Sequence, residues 1–141
     1  MKFFSNLLFF GWVGALVLLG GLGIFTGKWE LETIFRIDLG RMSHEAQDSL
    51  LNQYRFLKAV EFGFGVFCVL FRREIYRDLR YNRLFLSVVF LGAAARVLSI
   101  AVDGWPHWAF TGVTVLEILT FLVVALYSRG TLETRRTLET R

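Results

Sequence analysis

The chain has 141 residues, of which 55% are hydrophobic and 20% charged, with a mean hydropathy of +0.50 and a formal net charge of +4. A soluble domain mixes roughly a quarter charged residues through its sequence. Here the charges gather between long apolar blocks, which excludes an ordinary soluble domain. The basic balance does not indicate nucleic acid, because the Lys and Arg residues flank apolar runs and no binding fold accompanies them.

In chain order, four stretches, 5–26, 55–71, 84–102 and 108–128, are each near the ~17–25 residues that a ~30 Å hydrocarbon core requires of a helix. The expected fold class is all-α, a four-helix transmembrane bundle covering 1–128 and followed by a basic cytoplasmic tail, 129–141. The first stretch is too long for a secretory signal, whose apolar region runs about 7–15 residues before a small-residue cleavage site. Gly11, Gly14, Gly20, Gly21 and Gly23 within it, with Gly63 and Gly65 in the second stretch, point to close backbone approach.

The outer connection, Lys28 to Gln53, is expected to be partly helical, with Ser43 as N-cap and acids in the first turn after it. It either lies over the bundle on the outer face or is an ordinary surface connection. In the second span Arg55 and Lys58 are placed to snorkel toward the interface while Glu61 lies one turn deeper. The 72–83 connection reads as a basic loop. Between the third and fourth spans, Asp103-Gly104-Trp105-Pro106 has the residue types of a tight turn, so these two helices are antiparallel neighbours. The tail repeats Thr131-Leu-Glu-Thr-Arg135 as Thr137-Leu-Glu-Thr-Arg141, units too short to bury a core.

Lys and Arg accumulate in cytoplasmic loops. Arg72, Arg73, Arg77, Arg80 and Arg83, the tail's Arg129, Arg135, Arg136 and Arg141, and Lys2 all fall on one side, against Lys28, Arg36 and Arg41 on the other. Both termini are therefore expected in the cytoplasm, with membrane lipids, anionic ones included, as neighbours. Trp29, Tyr54, Trp105 and Trp108 fall near the outer interface and Tyr76, Tyr81 and Tyr127 near the inner one, as an aromatic belt requires.

Three charges stand deep inside the spans: Glu61, Arg96 and Glu117. At about 2.5–3.5 kcal/mol each for a charge at a helix centre, they need partners, and they are expected to face one another. Arg96, Ser99 and Asp103 share one face of the third helix at i, i+3 and i+7. Thr111, Thr114, Glu117 and Thr120 form a stripe along the fourth. Counting from Asp103 and Trp108 puts Arg96 and Glu117 at about 10–14 Å below the outer rim, with Lys58 and Asp103 toward the mouth of the same layer. Such a network can serve only to specify helix packing, or Arg96 can hold an anionic headgroup or carboxylate while a glutamate exchanges a proton.

Asp103 and His107 are broken apart by Gly and Pro, and two histidines do not compose a metal site, so neither metal nor other cofactor is expected. Cys68 stands alone, excludes an intramolecular disulfide and reads as a small core residue.

The run Arg96-x-x-Ser99-x-x-x-Asp103-Gly104-x-Pro106, followed by Glu117 on the next helix, resembles a bacterial family of small four-helix inner-membrane proteins known only as a domain of unknown function. The resemblance covers roughly 5–128 and implies four spans and a bacterial inner-membrane location, with no activity attached. Three classes of function follow: a membrane protein binding a lipid or a small anionic amphiphile at Arg96, Glu61 and Glu117; an accessory subunit of a larger membrane protein complex; and, by architectural analogy alone, a membrane enzyme like the sterol-isomerase-like emopamil-binding proteins. The first is preferred, and the reading leans away from an enzyme.

Overall fold

The computed structural model describes the backbone of residues 2–139 and the side chains of residues 3–130. Among these residues the chain is all-α, with no strand: α1 (Lys2–Trp29), α2 (His44–Leu70), α3 (Arg72–Arg77), α4 (Leu79–Asp103) and α5 (Trp108–Glu139). α1 contains the first expected span, α2 the second but for Phe71, α4 the third and α5 the fourth. Three helices, over Phe3–Ile34, Leu79–Asp103 and Trp108–Gly130, are long and apolar enough to cross a membrane. α2 is equally long, but its first two thirds carry Glu45, Asp48, Arg55, Lys58 and Glu61. Phe4, Leu18, Phe25, Leu91, Leu98 and Leu126 are each more than half exposed, a pattern that suits hydrocarbon as solvent.

The helix boundaries follow local chemistry. α1 runs on into a π-helical turn, Glu30–Ile34, in which the Phe35 N–H reaches back five residues to the Glu30 carbonyl at 3.1 Å. The chain reverses at Arg36, whose φ of 56° lies in the left-handed region, and a 3₁₀ turn over Leu39–Arg41 leads to α2. Ser43 precedes α2, and its Oγ accepts from the Ala46 N–H at 3.3 Å, satisfying one of the otherwise open amides of the first turn.

The 72–83 segment differs from the loop expected there: it is almost wholly helical, as α3 and the first turn of α4. Asp78 is the reason. Its Oδ1 accepts from the Arg80 N–H at 2.7 Å, capping α4, while its own N–H closes α3 on the Glu74 carbonyl at 2.7 Å. α4 ends where the Gly104 N–H bonds to the Ile100 carbonyl at 3.2 Å, and Gly104 then takes a φ of 95° that a side chain would resist. The repeat in the tail, from Thr131 onward, lies outside the residues whose side chains are described.

The chain divides into two compact units, one of residues 13–67 and one of residues up to Trp12 together with those from Cys68 onward. In the 13–67 unit Leu31, Leu39, Leu51 and Tyr54 form a buried cluster with Phe35, Ile37 and Leu50 packed on it. In the other unit Phe9 packs on Tyr76 and Phe85 with ring centroids 5.6 and 5.5 Å away, and Trp12 meets Phe85 edge-on at 5.9 Å. Tyr76, expected in an interfacial belt, is instead buried, because its hydroxyl finds Ser5 Oγ at 2.9 Å and its ring finds Tyr127 at 5.6 Å. That burial pushes the Tyr76 phenol above its ordinary range, with Tyr127 adding to the shift and Ser5 and Arg72 opposing it. The phenol stays neutral in the fold, so stability is present below the unfolded tyrosine value of about 10 and declines as pH rises past it.

Candidate functional site

α4 and α5 are antiparallel because only Gly104 to His107 separate them. The pairing sets Phe90 against Phe121 at 5.7 Å and, nearer the turn, Arg96 against Glu117. Arg96 Nε donates to Glu117 Oε2 at 3.0 Å. The Glu117 side chain is only 8% exposed and that of Arg96 28%. Among the described residues neither Nη nitrogen of Arg96 is hydrogen-bonded, so four of its five guanidinium N–H donors remain available.

Ser99 and Asp103 continue the Arg96 face toward the end of α4, and Ser99 Oγ donates to Asp103 Oδ2 at 3.0 Å. Asp103 is exposed and has no ion pair among the described residues. On α5, Thr114 spends its hydroxyl on the Phe110 carbonyl at 2.9 Å. Thr120, one turn beyond Glu117, is fully buried with Oγ1 unpartnered among the described residues. The stripe of threonines thus provides one locally satisfied hydroxyl and one open hydroxyl near the carboxylate.

A second polar cluster lies in the 13–67 unit and is centred on a residue the sequence reading assigned to the outer connection. Glu30, 9% exposed, accepts from Thr26 Oγ1 and from the Tyr54 hydroxyl, both at 2.6 Å. Lys58 Nζ bonds to Glu61 Oε2 at 3.1 Å, stands 3.9 Å from Glu30 Oε2 and lies 5.3 Å from the centre of the Tyr54 ring. Lys58 therefore turns inward rather than snorkelling, because two carboxylates and a ring face compensate its charge where its side chain is only 12% exposed. Tyr54, expected in the outer belt, is buried for the same reason: its hydroxyl has an anionic acceptor. Glycines on α1 make the space. A Cβ at Gly23 would stand 2.6 Å from Lys58 Cδ, and one at Gly27 3.1 Å from Tyr54 Cδ1.

Each of the three charges expected to face one another thus has a partner within its own unit: Arg96 with Glu117, and Glu61 with Lys58. The Lys58–Glu61 pair needs only i,i+3 spacing on one helix. Glu30 escapes a sequence reading that finds no strict Gly-x-x-x-Gly, yet one signal marks this residue. It follows Thr26 by four residues, just after the spacing Gly23-x-x-x-Gly27, a combination that extends a close-packed helix face past Lys28. Glu30→Ala is expected to destabilise the protein by about 1–3 kcal/mol, since it leaves the buried Tyr54 hydroxyl without its acceptor. Unfolding in detergent checks this, and Tyr54→Phe added to Glu30→Ala recovers part of the loss.

Cys68 is fully buried and in no disulfide. No curated protein and no solved structure matches the chain. Residues 6–128, which include both polar clusters and the α4–α5 turn, match the family described as Domain of unknown function (DUF4345), and the chain belongs to that family.

Proposed function

We propose that this is a multi-pass membrane protein with four spans and both termini in the cytoplasm, in a bacterial inner membrane, that binds a lipid or small amphiphile through its anionic group. The observation that carries the reading is the guanidinium of Arg96, engaged through one of its five donors among the described residues. Glu117 is nearly buried and holds the guanidinium through Nε alone, leaving the Nη edge to accept a phosphate or carboxylate in the forked geometry these groups favour. Ser99 and Asp103, farther along the same face, supply hydrogen-bonding groups for the polar part of such a ligand. The four-span reading counts α2 as a span despite its charges, and the Lys58–Glu61–Glu30 pairing supports that count by giving the two deepest of them, Lys58 and Glu61, partners.

A second reading, an accessory subunit of a larger membrane complex, is favoured by one feature. Ala93, Ala94, Val97 and Ala101 of α4 and Ile118 and Leu122 of α5 line an apolar groove of about 590 Å³, and small residues let a partner helix approach closely.

Native mass spectrometry of the protein extracted gently from its own membrane separates the two. Under the first reading the wild type carries a bound anionic lipid or small molecule. Arg96→Lys, which keeps the charge opposite Glu117 but removes the fork, reduces its occupancy by about tenfold, equivalent to about 1.4 kcal/mol. A wild type found without a ligand and only within a larger assembly replaces the first reading by the second.

A further inference from the structure

The α3 corner carries a group of arginines that neither polar cluster uses. Arg73 and Arg77 are four residues apart on α3, Arg80 and Arg83 three apart at the start of α4, and all four are exposed. Among the described residues none of their guanidinium groups has an ion pair or hydrogen bond. The two acids nearby do not neutralise them: Asp78 spends its Oδ1 on the α4 amide, and Glu74 forms no ion pair among the described residues. Like charges at these spacings repel each other by a few tenths of a kcal/mol per pair, so the bare surface favours an anion from outside.

The corner that presents them is held firmly. Ile75 is fully buried, Asn82 Nδ2 donates to the Ile75 carbonyl at 2.9 Å, and Phe71 stacks on Tyr81 at 5.2 Å. Arg72 differs from the other four: its Nη2 bonds to Asn6 Oδ1 at 3.3 Å and its guanidinium lies 4.4 Å from the centre of the Phe10 ring, tying the corner to the start of α1. Exposed apolar side chains interleave with the arginines. Leu79 stands beside Arg80, and Leu84, directly after Arg83, opens the apolar run of α4, with 48% and 51% of their surfaces exposed. Arg83 therefore stands at the boundary between the charged corner and the apolar run of α4.

We propose that Arg73, Arg77, Arg80 and Arg83 form a docking surface for the phosphate groups of anionic phospholipids in the leaflet that meets the α3 corner. The proposal rests on the membrane reading above but not on the Arg96 pocket. Charge alone would also suit an acidic peptide. The apolar residues interleaved at the boundary of α4, in a segment continuous with a membrane-length helix, favour lipid.

The test counts lipids bound to the full chain by native mass spectrometry, from micelles holding equal amounts of phosphatidylglycerol and phosphatidylcholine. The wild type is expected to prefer phosphatidylglycerol by about tenfold or more, since each arginine near an anionic surface contributes about fivefold. Arg73→Gln/Arg77→Gln/Arg80→Gln lowers the ratio at least about fivefold, toward the preference of Arg83 alone, whereas the corresponding triple lysine variant retains the wild-type preference. The same loss is expected in an Arg96→Lys background, which separates this surface from the pocket. Raising salt to about 0.5 M weakens the preference, as exposed charges require. A wild type with no preference overturns the proposal, as does a triple glutamine variant that keeps the wild-type ratio. Displacement of the lipid by inorganic phosphate at millimolar concentration would overturn the assignment to lipid.

Discussion

Arg96→Leu is expected to destabilise the protein by about 3–5 kcal/mol, the loss typical of removing one member of a buried ion pair. The physical cause is the remaining partner. Glu117, at 8% side-chain exposure on an apolar helix, would lose the guanidinium 3.0 Å away and either keep its charge at high desolvation cost or take up a proton. Replacing both residues, as Arg96→Leu/Glu117→Leu, is expected to recover most of the loss, because no charge then remains in the apolar layer. Unfolding of the wild type, Arg96→Leu, Glu117→Leu and the double variant in detergent gives the coupling directly. A coupling energy below about 0.5 kcal/mol would show that the pair acts as an exposed one.

Gly20→Ala carries the second large effect, a loss of about 1–3 kcal/mol from overpacking. A Cβ there would stand 2.7 Å from Phe62 N and 3.1 Å from both Lys58 O and Phe62 Cα, all main-chain atoms that cannot move aside without shifting α2. Gly11→Ala is the matched control. Nothing lies within 4 Å of its Cβ position, so the helix preference for alanine, about 1 kcal/mol, is gained without a clash. The two substitutions should therefore change the unfolding midpoint in opposite directions. Equal effects would mean that α1 and α2 do not approach as closely at Gly20 as the structure has it.

The Arg96–Glu117 pair was legible because two local features sufficed. A four-residue turn makes α4 and α5 antiparallel neighbours, and counting residues from that turn brings both charges to the same depth. The cluster around Glu30 was less legible. Lys28 looks like the end of an apolar run, yet α1 continues through a π turn, and burial of Glu30 depends on a tyrosine that stands 24 residues later in the chain. The inward turn of Lys58 was hidden for a related reason. A lysine near a helix end snorkels unless carboxylates compensate it, and one of the two beside it comes from the other helix of the pair.

The all-α class, the long apolar helices, their charge-rich connections and the turn at Gly104 follow from the sequence by itself, since helix formation and apolar length depend on residues close together in the chain. The tertiary structure alone decided that Lys58 meets Glu30 as well as Glu61, that Tyr54 and Tyr76 are buried against hydrogen-bond partners, and that Arg73, Arg77, Arg80 and Arg83 stand exposed and, among the described residues, without ion pairs. These outcomes depend on helix rotation and closeness of approach, which are set by packing between distant segments and by where a glycine leaves room.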